Sequence, residues 1–200
     1  MTPSPSPRTL LETHRARLDE SFPIEEKPLH GVFMLRRASG ETDRLASAIS
    51  PVLGLDLPET PNTLAKSAHV TAFWTRTGYW MLSVPRDNAE ALRQSLETGL
   101  EGLESSLVDI THGTSVMRFS HPHARDILAS GCPLDLHPQS FPGDSVAQTR
   151  WNHADILIHS LENTQDTGIF DLYVRSSFAL YLWDGLFDIW DEIREYWKGR

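Results

Sequence analysis

The chain has little cysteine, a deficit of positive charge and no long apolar run, and each shortage removes a class of protein. A single cysteine, Cys132, cannot close an internal disulfide, so a disulfide-stapled framework is out and a reducing, cytoplasmic setting is the expectation. Lys and Arg number 18 against 27 Asp and Glu, a formal net charge of −9, which works against a nucleic-acid partner because that affinity rests on basic side chains neutralising phosphates. The longest wholly apolar stretch, residues 178–183, is far shorter than the ~20 residues a bilayer-spanning helix needs. Residues 1–7 are Pro/Ser-rich and lack the apolar centre of a signal peptide. Neither Gly-x-Gly-x-x-Gly nor Gly-x-x-x-x-Gly-Lys-Ser/Thr occurs, so a dinucleotide or nucleoside triphosphate lacks its usual backbone cradle.

What is present suits a globular protein: 200 residues, 40% hydrophobic and 22% charged, enough for a sizeable core in one domain or two small ones. Residues 1–28 read as an extended N-terminal arm, residues 29–105 as a first α+β module, and residues 106–200 as a second module closed by an amphipathic helix. Residues 32–35 are a short strand candidate, and Pro51, Pro58 and Pro61 keep any helix over residues 43–50 brief. Residues 70–74 and 79–84 are rich in aromatic and β-branched side chains and flank a turn at Gly78, the pattern of a hairpin. A helix follows, with the capping-box spacing Asp87 to Glu90 and an apolar face of Leu92, Leu96, Leu100 and Leu103. Residues 107–111 and 115–119 read as strands around His112-Gly113, and Pro122 opens a short helix that stops at Gly131. Residues 146–151, 155–159 and 169–174 complete the strand candidates. Strand pairs alternating with single helices imply antiparallel sheets, each covered on one face by helices, rather than a doubly wound parallel sheet.

The closing helix places Leu182, Leu186, Ile189, Ile193 and Tyr196 on one face and Asp184, Asp188, Asp191 and Glu195 on the other. Trp183, Trp190 and Trp197 recur every seven residues along one border of the apolar face. They either complete the core of this chain or form a partner interface, since Trp is enriched at the buried centres of interfaces.

Candidates for chemistry are few. Cys132 follows the C-terminal end of a helix, where the macrodipole disfavours a thiolate, so its expected role is structural, with Pro133 fixing the turn, Leu134 and Leu136 pinning it, and Asp135 capping local N–H groups. Of nine histidines, His112, His121, His123 and His137 lie nearest one another, but their spacing does not put metal ligands on one helix face. Asp109, Asp126, Asp135 and Asp171 are scattered, and solvated or capping roles are the expectation for them.

Three blocks carry a family resemblance: Gly131-Cys132-Pro133-Leu134-Asp135-Leu136, Ala147-Gln148-Thr149, and Arg175-Ser176-Ser177-Phe178-Ala179 with Trp183 just beyond. Together they resemble the gamma subunit of heterotetrameric sarcosine oxidase over roughly residues 65–188. An extra Ser in Arg175-Ser-Ser-Phe178 and a long acidic tail depart from the pattern. The resemblance implies two ferredoxin-like modules, similar to the glycine cleavage T-protein and to the N-terminal part of the tRNA-modification GTPase. It implies a four-subunit oxidoreductase that demethylates sarcosine to glycine, forming hydrogen peroxide and 5,10-methylenetetrahydrofolate. FAD, FMN, NAD, zinc and tetrahydrofolate then belong to the alpha, beta and delta subunits, alpha being the expected direct contact, and this chain carries no assigned catalytic, cofactor or metal residue. Gly131, Cys132, Pro133, Leu134, Asp135, Gln148, Thr149, Arg175, Ser177 and Phe178 become expectations for architecture and docking. A related N-methylglutamate dehydrogenase subunit and a free-standing folate-binding aminomethyltransferase are the alternatives.

Overall fold

The computed structural model describes residues 22–27 and 30–198, with the side chains of Thr42 and residues 195–198 left out. Among the described residues, ten strands form two five-stranded sheets, both antiparallel throughout. The first contains β2 (Gly31–Arg37), β3 (Leu64–Lys66), β4 (Thr71–Arg76), β5 (Tyr79–Val84) and β6 (Ser105–Asp109), in the order β3-β4-β5-β2-β6. The second contains β1 (Ile24–Glu26), β7 (Thr114–His121), β8 (Val146–Trp151), β9 (Ala154–Asn163) and β10 (Gly168–Arg175), in the order β1-β7-β10-β9-β8. Helices α1 (Thr42–Leu53) and α2 (Arg86–Gly99) pack with the first sheet, and α3 (Ala124–Ala129) and α4 (Ala179–Lys198) with the second.

Strands β2, β4, β5 and β6 with α1 and α2 make a ferredoxin-like βαββαβ unit, with β3 added at one edge. The second sheet repeats that order with one substitution: β1, from near the N-terminus, fills the slot beside β7 that the last strand of such a unit would take. The arm expected over residues 1–28 is described over residues 22–27, and its Ile24–Glu26 part is a strand. Ile24 pairs with Phe119, and Phe22 and Ile24 are buried in the second core. Residues 1–21 and 28 lie outside the described residues.

The two strands flanking His112-Gly113 do not pair with each other: β6 adds to β2 in the first sheet, whereas β7 lies between β1 and β10 in the second. The expected division between residues 105 and 106 thus falls inside β6. The cause is the link between the strands, a single 3-10 turn (Thr111–Gly113) that carries the chain from one sheet to the other instead of reversing it as a hairpin. The capping box does not form either. Helix α2 starts at Arg86 behind Pro85, one residue before Asp87, and its first turn has no side-chain cap. Helix α1 runs past Pro51 to Leu53 because Leu45, Ile49 and Leu53, one turn apart, are all buried in the first core, and that burial outweighs one lost backbone hydrogen bond.

Outer faces and inner faces differ. Under α1 and α2 lie Phe33, Leu35, Trp80, Leu82 and Val84; under α3 and α4 lie Met117, Phe119, Trp151, Ile158, Phe170 and Leu172. The alternate residues, Val32, Phe73 and Met81 from the first sheet and Val116, Val146, Leu157 and Tyr173 from the second, form a third cluster between the sheets. The layers run helix, sheet, sheet, helix.

The Cys132 loop is fixed by close approach. A Cβ on Gly131 would lie 2.7 Å from the Trp151 ring, and one on Gly185 of α4 would lie 2.5 Å from the same ring, so two glycines clasp one buried Trp from opposite elements. The Gly131 carbonyl also accepts from the Asn152 amide at 2.8 Å, tying the loop to the β8–β9 turn.

Candidate functional site

A cleft of about 580 Å³ opens at one end of the inner layer. Its floor crosses the second sheet: Gln148, Thr149 and Arg150 on β8, Asp155, Ile156 and Leu157 on β9, Tyr173, Val174 and Arg175 on β10, and Thr114 on β7. Pro133 of the Cys132 loop closes one side, and Met81 and Ile110 roof it from the first sheet and its exit turn. Three blocks far apart in sequence meet here, because β8 and β10 both flank β9 and the Cys132 loop packs against Trp151 at the end of β8.

Behind the cleft the inner layer turns polar. Arg118 donates to both carboxylate oxygens of Asp171, Nε to Oδ1 at 2.7 Å and Nη2 to Oδ2 at 2.8 Å, and the Asp171 side chain is 9% exposed. The Tyr173 hydroxyl donates to Ser83 Oγ at 3.2 Å, bridging the sheets, and its burial pushes the phenol pKa up. Gln148 Nε2 donates to the Thr75 carbonyl, a second bridge, and Lys66 pairs with Asp144 at the rim. His159 is buried edge-on against Phe73, ring centroids 5.2 Å apart, with no hydrogen-bond partner for Nε2 among the described residues. Burial first, and the Lys66 charge second, hold its pKa down to about 4, so the ring is neutral at pH 7.

The expected site residues divide. Pro133, Gln148, Thr149 and Arg175 reach the cleft. Cys132 is buried, its Sγ 3.7 Å from Thr149 Oγ1, so it holds the loop to β8. Leu134 packs against the second core, and Asp135 accepts from the His137 amide at 2.9 Å; the Ser140 hydroxyl, with that amide, lowers its carboxyl pKa. Ser177 and Phe178 are exposed in the 3-10 turn that opens α4, and Phe178 stands edge-on to the exposed Tyr181.

Trp183 and Trp190 of the Trp border are part of this chain's own core. Trp183 and Trp190 are 2% and 7% exposed and pack on Phe22, with Trp183 edge-on to it at 5.3 Å. Phe22, just before β1, supplies the cover that the helix pattern alone left unassigned. Trp197 lies outside the described residues.

The scattered carboxylates stay apart. Asp109 accepts from the Thr111 amide at 2.8 Å, Asp126 faces His123 Nδ1 at 3.2 Å, and Asp171 is committed to Arg118. The His121 ring lies edge-on to Trp190 at 4.9 Å, and burial lowers its pKa. Among the described residues no three His, Cys, Asp or Glu side chains gather to hold a metal ion, and no glycine lines the cleft to cradle a pyrophosphate. The Arg118–Asp171 pair, His159, Arg150 and Asp155 had no motif to announce them. One signal was available: Asp171 and Tyr173 alternate with Phe170, Leu172 and Val174 in a strand apolar on its other face, as a buried carboxylate with a partner would.

This fold is that of the aminomethyltransferase and sarcosine oxidase proteins. The structure superposes on heterotetrameric sarcosine oxidase from Corynebacterium sp. U-96 with a TM-score of 0.74 and 21% identity, covering 84% of this chain and 83% of that one. It superposes on glycine cleavage system aminomethyltransferase T from Bartonella henselae with a TM-score of 0.60 and 14% identity, covering 82% of this chain and 44% of that one. In sequence it is 27% identical over 113 residues to sarcosine oxidase subunit gamma from Arthrobacter sp., and that stretch spans 55% of the relative's length, about half. The model of the sarcosine oxidase, gamma subunit family matches residues 37–192, and the chain belongs to that family.

Proposed function

We propose that this chain is the gamma subunit of a heterotetrameric sarcosine oxidase and serves it as a structural component. The observation that carries this reading is the family match over residues 37–192, within which Pro133, Gln148, Thr149 and Arg175 line one cleft. The groups that could run chemistry are instead engaged in holding the fold: Cys132 under Thr149, Asp171 under Arg118, and His159 neutral within the inner layer. FAD, FMN, NAD, zinc and tetrahydrofolate accordingly belong to the alpha, beta and delta subunits, with the alpha subunit as direct contact, and the complex converts sarcosine to glycine with hydrogen peroxide and 5,10-methylenetetrahydrofolate.

Sarcosine-dependent peroxide formation tests this. The chain expressed with its three partners should produce peroxide from sarcosine, and the chain alone should neither do so nor show a flavin spectrum. Bound flavin or turnover in the isolated chain would refute the assignment. A complex that oxidises N-methylglutamate in preference to sarcosine would move the chain to the related dehydrogenase.

A further inference from the structure

We infer that an exposed row of three rings, Phe178, Tyr181 and His153, is where this chain docks onto another subunit, in an apolar socket flanked by basic side chains. The inference rests on the subunit reading proposed above. Phe178 stands edge-on to Tyr181 with ring centroids 6.3 Å apart, and the Tyr181 ring lies 6.4 Å from that of His153. Two separate segments meet in that row: the 3-10 turn and first turn of α4, and the β8–β9 turn. Phe178 and Tyr181 are 38% and 41% exposed and His153 is exposed beside them, so the rings form one contiguous patch, the arrangement that marks an interaction surface.

Other residues anchor these two segments. Ala179, Leu182 and Trp183 bury the first turns of α4 in the second core, and Ala154 does the same beside the β8–β9 turn. Phe178 and Tyr181 belong to none of the three buried clusters formed by the described residues. Their presentation is fixed all the same: Ser176 Oγ donates to the His112 carbonyl at 3.1 Å and holds the turn that carries Phe178. Rings held this way lose little conformational freedom when covered, and aromatic side chains dominate the energy of interfaces.

Charge selects the occupant. Exposed Asp184 and Asp188 follow Tyr181 by three and seven residues, on the same face of α4, in a chain whose net charge is −9. A second copy packed on this patch about a two-fold axis would set those carboxylates beside their own equivalents, like against like. A different subunit that offers Lys or Arg around an apolar socket complements the rings and the carboxylates together.

The test is retention of the full chain by its three tagged candidate partners when all four are expressed together. Phe178→Ser/Tyr181→Ser should weaken retention by roughly tenfold or more while the lone variant melts like the parent. Asp188→Lys should weaken it severalfold, and Arg86→Ala, at the start of α2 on the opposite outer layer, should leave it unchanged. Should the double variant melt early, hydroxyl-radical footprinting of the parent decides the matter: Phe178, Tyr181 and His153 should be labelled severalfold less in the assembly than in the lone chain. A parent that the partners do not retain overturns the subunit reading and this inference with it. With the parent retained, the inference alone is overturned if folded ring variants are retained equally, if the rings are labelled equally in both states, if Asp188→Lys changes nothing, or if the patch is protected by a second copy of this chain.

Discussion

The helix-covered outer faces and the layer between the sheets are built from different material. Outside, Trp151, Phe119 and Phe170 on one sheet with Trp183 of α4, and Phe33, Trp80 and Leu82 on the other sheet, make deep apolar cores. Between the sheets, Val32, Met81 and Leu157 share the space with Arg118, Asp171, His159, Ser83 and Tyr173. Apolar burial is strong and non-directional, so the outer cores hold each unit together. Hydrogen bonds such as Tyr173 to Ser83 and Gln148 to the Thr75 carbonyl have direction, and they fix how one sheet sits on the other. The cleft opens where this inner layer ends, so a site there depends on the alignment of the sheets rather than on either core alone.

Substitutions that strike one layer at a time put this contrast at risk. The largest effect is expected outside: Trp183→Ala, on the buried face of α4, should destabilise the chain by ~3–5 kcal/mol in denaturant titration. A cost under ~1 kcal/mol would mean that the second core is not continuous through this ring.

Inside, the signature is pH dependence. The His159 pKa is depressed to about 4 in the folded chain, so the folded state favours the neutral ring. That contribution is fully present above the ordinary pKa of about 6.5 and is lost as pH falls toward 4, for a total of ~3 kcal/mol. Over that window the parent should lose stability more steeply than His159→Gln, and parallel curves would remove His159 from the account. The Arg118–Asp171 pair sharpens the same point. Arg118 keeps 30% of its side chain exposed, so Asp171→Ala should cost ~2 kcal/mol, less than severing a fully buried pair. Arg93→Ala, which breaks solvent-screened pairs on α2, should leave the denaturation midpoint close to the parent's.

Gly185→Ala gives a modest shift whose sign is the informative part. In an exposed helix Gly to Ala stabilises by up to ~1 kcal/mol. Here the new Cβ meets Trp151 at 2.5 Å, and a loss of ~1–2 kcal/mol is expected in the same titration. A gain in stability would show that Trp151 can move aside.

The outer layers were the legible part of the sequence. Leu92, Leu96 and Leu100 recur at helical spacing, and residues 146–151 alternate as a strand, because burial against a helix or sheet imprints its period on neighbouring positions. The inner layer pairs residues that no local pattern connects, such as Arg118 with Asp171 and Ser83 with Tyr173. The partner of β7 was missed for the same reason: a strand of three residues, Ile24–Glu26, is too short to show a period, yet Phe22 just before it packs on Trp183 and Trp190. Less than a third of the cleft lining was visible as motif, in Pro133, Gln148, Thr149 and Arg175. Arg150, Asp155 and Tyr173 join it only through strand order.

The central claim is that this chain works as a structural member of a larger assembly. Native mass spectrometry of the tagged chain, purified from cells that also express the candidate partners, tests it most directly. The account predicts one copy of the chain in a particle with three other polypeptides, and flavin released only from that particle. A chain that runs as a free monomer with flavin of its own, beside an oxidase complete without it, would contradict the account.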